Sequence, residues 1–160
     1  GINSRLDERQ AAILKGRSQH LETSILERLT YADRYDAALS DCDALQVPIR
    51  PAQGTPGRHG FHQYTLRLPS EQRDDLLRHF QESGIDSAVY YPVPLHLQPC
   101  FARPLTEAPQ SLPEAESASR ETLALPLYPG LATEDLDAIA SHTRSFLASS
   151  PCERKATRTP

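Results

Sequence analysis

Methionine and tryptophan are absent from this sequence, and lysine occurs only at positions 15 and 155. An activated amine needs a buried or charge-assisted lysine, whereas Lys15 falls inside a helical pattern and Lys155 in a polar tail. Cysteine is sparse: Cys42, Cys100 and Cys152 are odd in number, far apart and form no CxxC pair. That spacing excludes a disulfide framework or a cysteine zinc site and points to a reducing cytoplasm. No apolar run approaches the roughly 20 residues of a membrane span, and no basic-then-apolar segment opens the chain. The net charge is −4 with no basic surplus, which argues against a nucleic-acid partner and against an anionic membrane. Neither a GxSxG nucleophile elbow nor a GxxxxGK phosphate loop occurs.

What remains is a polar chain of 160 residues with 38% apolar and 24% charged residues, enough for one domain plus an extension. From Leu6 to Leu39 apolar residues recur mostly three, four or seven apart, which predicts a single long helix, with Gly16 as its weak position. Asp7 and Glu8 fall in its first turn, where the helix dipole favours carboxylates. A helix of that length runs about 50 Å at 1.5 Å per residue, too long for the rest of the chain to cover. A Pro/Gly-rich connection follows, then the alternation of "HQYTLRL", a half-buried strand. Ser70 is the expected cap of a helix carrying Leu76, Leu77 and Phe80, with Gly84 just past its end. "DSAVYY" reads as a second strand, and the prolines of "PVPLHLQP" then hold the backbone extended. A helix is expected from Leu112 to Leu123 and a short third strand in "LALPLYP". Thr133 is the expected cap of an amphipathic helix whose apolar face is Leu136, Ile139, Ala140, Thr143, Phe146 and Leu147. The fold class is therefore α+β, a long helix followed by a small sheet covered by helices. The expected divisions are 1–40 for the entry loop and long helix, 41–148 for the small domain, and 149–160 for a disordered tail.

Few residues invite a chemical role. His59, His62 and His96 could be metal ligands, but no carboxylate has an obvious place beside them and no HExxH helix exists, so no metal site is assigned. Asn3, Ser4 and Arg5 place an amide, a hydroxyl and a cation ahead of a helix N-terminus, where unpaired N–H groups attract anions. Asn3 or Ser4 acting simply as the helix cap is the competing and simpler reading.

Five stretches change the picture together. "GINSRLDERQAAIL", "HQYTLRL", "RDDLLRHFQESGI", "YYPVPLHLQPCF" and "LALPLYPGL" resemble, in order and spacing over residues 1–147, the C-terminal half of the PLP-dependent nucleotide-sugar aminotransferases, the DegT–StrS group of fold-type-I enzymes. The resemblance implies a large α/β/α domain upstream, carrying the Schiff-base lysine and the aspartate that pairs with the pyridine nitrogen. This chain would then be the long interdomain helix and the small domain, inactive alone.

It further implies a homodimer in which Asn3 reaches the pyridoxal phosphate of the neighbouring subunit, with Arg5 near the same shared site. Tyr91 and His96 become candidates for contacting the nucleotide-sugar substrate, against the alternative that both simply pack the proline loop. The amino donor would be glutamate or glutamine. The "NSRLDE" form, rather than "NYRMTD", resembles members that aminate a 3-keto rather than a 4-keto position. A non-catalytic interaction module derived from such an enzyme is the competing expectation.

Overall fold

The computed structural model describes residues 5–51, 57, 59–101 and 111–149. Among them are five helices and a two-stranded sheet: α1 Glu8–Ser18, α2 Leu21–Leu39, β1 Tyr64–Arg67, α3 Ser70–Glu82, α4 Pro113–Glu121, β2 Thr122–Leu125 and α5 Thr133–Ser149. The α+β class expected from the pattern is what the chain forms.

The single long helix is replaced by two. Its start is capped by Asp7, whose carboxylate accepts the Gln10 N–H at 2.8 Å, so the cap does not fall to Asn3 or Ser4. It is interrupted at Gln19–His20, after the weak Gly16 rather than at it. There the His20 N–H bonds back to Arg17 at 3.1 Å, a three-residue closure, and the Ser18 hydroxyl takes the Lys15 carbonyl. Gly16, Ser18 and His20 are all poor helix formers, and a serine hydroxyl competing for a backbone carbonyl loosens the ladder locally. Gln19 and His20 still have φ/ψ of −64°/−24° and −101°/3°, so the interruption is a tightened turn, not a loop.

The strands pair antiparallel, with Tyr64 opposite Leu125 and Leu66 opposite Leu123. Residues directly opposite share a face, so these four put one apolar face toward the core. The expected second strand contracts to one bridge, Ala88 with Ala124, and Gln46 makes a matching bridge to Arg67. The sheet therefore reads Gln46, β1, β2, Ala88 across, with single residues patching both edges. The expected third strand is β2, stopped by Pro126, and it takes Leu123 away from the preceding helix.

Against this sheet face lie Ala32, Tyr35 and Leu39 of α2, Leu76 and Phe80 of α3, and Leu136, Ile139 and Ala140 of α5. The predicted face of α5 is the buried one, with Thr143 joining it by bonding its hydroxyl to the Ile139 carbonyl. Ser70 opens α3 without capping it; Pro69 occupies the cap position and no side chain bonds there. At the other end Gly84 takes φ +71°. It lets the Ile85 N–H reach Phe80 at 2.8 Å and the Gly84 N–H reach Gln81 at 3.2 Å, the doubled closure that favours glycine after a helix. Ser149 ends α5; the rest of the expected tail lies outside the described residues.

Helix α1 buries nothing, and Leu6, Ile13, Leu14, Leu21 and Leu26 stay half or more exposed. Leu136→Ala should therefore cost about 2–5 kcal/mol and Leu14→Ala no more than about 0.5 kcal/mol, as read by denaturant unfolding of the purified chain. Equal losses would mean that α1 belongs to this domain's core.

Candidate functional site

Two concavities lie beyond the β2 edge. The larger, about 840 Å³, opens between the 83–90 segment, the 126–131 turn and α5, with Arg28, His62, Asp86, Tyr90, Tyr128 and His142 among its walls. The smaller, about 490 Å³, is a shallow apolar groove formed by Tyr90, Tyr91, Pro92, Val93, Gln98, Pro99 and Cys100. Tyr90 lines both.

The proline run shapes the groove. Pro94 precedes a 3₁₀ turn, Leu95–Leu97, closed by Leu97 N–H to Pro94 at 3.0 Å and Gln98 N–H to Leu95 at 3.1 Å. Prolines supply no donors of their own, so the segment leans on such local closures and on one long-range anchor. His96 Nε2 stands 3.1 Å from Glu116 Oε1 on α4, and its side chain is only 17% exposed. The same carboxylate oxygen accepts the Leu112 N–H at 3.1 Å and the Ser111 hydroxyl at 3.3 Å. The His96 hydrogen bond first, then the Leu112 N–H, hold the Glu116 carboxyl below its ordinary range.

The structure thus separates the two residues expected at the substrate. Tyr91 is 71% exposed on the groove wall. His96 is turned to α4 and lines neither concavity. The three histidines weighed for a metal also part company. His59 Nδ1 accepts the Phe61 N–H at 3.0 Å and its ring lies 4.2 Å from the Phe61 ring, supporting a residue with φ +43°. His62 faces the larger cavity. No group of three histidine, cysteine or acidic side chains converges among the described residues.

Asn3 lies outside the described residues. Arg5 is within them, exposed ahead of α1, and lines neither concavity. The described residues alone therefore do not form a cradle for pyridoxal phosphate. Burial above all pushes the Cys42 thiol up. What the site can do is bind: aromatic faces at Tyr90, Tyr91 and Tyr128 suit a ring or sugar, and Arg28, Asp86 and His62 offer polar contacts beside them. Tyr90, Tyr128 and Arg28 were missed in the sequence. The doubled tyrosine of "VYYP" was the one available signal, because alternation along an extended segment puts neighbouring side chains on different walls.

Comparison with known proteins follows this geometry. Residues 1–144 match the DegT/DnrJ/EryC1/StrS aminotransferase family. A "pleiotropic regulatory protein" of Geobacillus stearothermophilus is 41% identical over 91% of this chain and 38% of its own length. A dTDP-3-amino-3,4,6-trideoxy-alpha-D-glucose transaminase of Streptomyces venezuelae is 41% identical over 82% of this chain and 33% of its own. Among solved structures, S. venezuelae DesV in complex with a ketimine intermediate superposes with a TM-score of 0.81 at 36% identity, covering 94% of this chain and 39% of that one. Bacillus subtilis NtdA with bound cofactor PMP gives 0.77 at 28% identity, covering 92% and 34%. The chain thus spans little more than a third of the length of the relatives it matches.

Because the folded Glu116 carboxyl sits below the ordinary value of 4.5, its anchoring of the proline segment is present above that value and is lost as pH falls through the folded one. Relative to the intrinsic exchange rate at each pH, protection of the Leu97 and Gln98 amides should fall in the native chain as pH drops below the ordinary carboxyl range. In Glu116→Gln that protection should be low already and should not change over this range; protection unchanged from the native chain would remove the anchor's role.

Proposed function

The chain belongs to the DegT/DnrJ/EryC1/StrS aminotransferase family, and on that premise we propose that it is the C-terminal part of a PLP-dependent transaminase that aminates a nucleotide-linked keto-deoxysugar. The observation that carries this reading is the long stretch of sequence and structure it shares with sugar aminotransferases, aligned over α1 through α5. Within it, the groove between Tyr90, Tyr91 and the prolines is the substrate-facing surface of this chain. Tyr91 offers a ring face to the sugar or base, and His96 holds the groove in shape through Glu116. Asn3 and Arg5 lie on the entry loop that reaches the cofactor phosphate of a partner subunit in a homodimer.

The amine of the product is placed at the 3-position. The "NSRLDE" opening supports this, and the S. venezuelae relative is itself named for a 3-amino sugar. The donor is glutamate or glutamine, and the chemistry takes place in the cytoplasm. Neither lysine suits the Schiff base: Lys15 is exposed on α1 and Lys155 falls in the polar tail. The chain by itself is therefore inactive. A non-catalytic interaction module is the second reading, favoured by the open apolar side of α1 and by the regulatory name of the Geobacillus relative.

The decisive experiment incubates the purified chain, and separately the protein read from the extended coding sequence, with pyridoxal phosphate, glutamate and a nucleotide-linked 3-keto sugar. Turnover is expected only from the extended protein. There, Tyr91→Ala should raise KM for the sugar about tenfold with kcat little changed. An extended frame without a cofactor lysine would leave the interaction module standing. Turnover by the 160-residue chain would overturn the assignment of the Schiff base to a missing part.

A further inference from the structure

Two histidines that the aminotransferase reading does not use face one another across the helical layer. His79 lies in the last turn of α3 and His142 in α5. His79 Nε2 and His142 Nδ1 stand 3.4 Å apart, with ring centroids 5.5 Å apart and planes inclined by 49°. A hydrogen bond between two such nitrogens would settle near 2.9–3.0 Å (about the mode for N–H donors), so the pair is long for that purpose. The spacing does match another arrangement. With metal–nitrogen bonds of about 2.0–2.1 Å, two ligands at a tetrahedral angle stand about 3.3–3.4 Å apart.

We propose that His79 and His142 form a two-imidazole site for a zinc ion, which clips the end of α3 to α5. The separation is set by packing rather than by the rings. Phe80 beside His79, and Ile139 and Thr143 beside His142, are core residues, so the backbones cannot drift apart to relieve the contact. Phe146 stands 5.7 Å from the His79 ring and Phe80 stands 6.3 Å from it, which limits where that imidazole can turn. His142 lines the open cavity, so the remaining coordination positions belong to water.

No third histidine, cysteine or acidic ligand joins the two among the described residues. Asp75, one turn before His79, is engaged by Arg78 at 2.9 Å. The site therefore exchanges its ion, unlike a closed four-ligand structural site. The tetrahedral spacing suits zinc better than the tetragonal copper and nickel ions, and imidazole ligands leave magnesium and calcium unbound.

Equilibrium dialysis of the purified protein against Zn²⁺ tests this. His20→Gln should retain the wild-type binding at this site, while His79→Gln and His142→Gln should each lose it. At a hundred times Kd the melting temperature should rise by roughly 5 °C or more with Zn²⁺ and not at all with Mg²⁺. Should either variant fail to fold, electron paramagnetic resonance of the wild type with Cu²⁺ in place of Zn²⁺ decides: coupling to two imidazole nitrogens supports the site. Coupling to one or none, or binding undiminished in both variants, overturns it.

Discussion

Tyr35 and Tyr64 meet inside the core with ring centroids 4.8 Å apart, both wholly buried. A phenol can be buried only if its hydroxyl finds a partner, since a desolvated, unpaired one costs about 1–3 kcal/mol. Tyr35 donates to the Pro126 carbonyl at 2.9 Å, and Tyr64 donates to Asp36 at 2.6 Å. Burial above all pushes both hydroxyls far up, so they act as neutral donors. Asp36 in turn takes Arg50, whose guanidinium lies 4.7 Å over the Phe61 ring. One node therefore ties α2, the start of β1 and the end of β2 to Arg50 and Phe61.

The positions of the candidate surfaces follow from that node. Pro126, held by Tyr35, stops β2 and turns the chain toward Tyr128 and the larger cavity. The Gly130 N–H is held by Glu27 of α2 at 3.1 Å, so the same helix fixes both ends of that turn. Arg34 adds a bidentate pair with Asp137 on α5, though exposed ion pairs contribute little beside the apolar contact they border. None of these anchors reaches α1. Its apolar side is left without a partner among the described residues, consistent with the share of the relatives' length that the chain spans.

Much of this was legible from local pattern. The face of α5, the glycine closing α3 and the alternation of "HQYTLRL" each follow from a repeat of 3.6 or 2 residues that needs no partner to be read. The five family motifs were equally plain, and they named the family before any fold was known. The break at Gln19–His20 was not legible, because apolar spacing continues through it while the backbone tightens. The second strand failed for the opposite reason. "DSAVYY" has strand composition, but only Ala88 finds a pairing partner, and strand identity depends on the neighbour as much as on the residues.

By itself, then, the sequence determined the secondary elements with strong periodicity, the apolar faces and the family. Tertiary structure alone decided which distant residues meet. His96 meets Glu116, Tyr90 joins two concavities, and His79 comes within 3.4 Å of His142 from 63 positions away. The reason is physical: local repeats are set by backbone geometry over a few residues. Contacts across the fold are set by how the buried faces of separate elements fit, and no short stretch of sequence contains both sides of that fit.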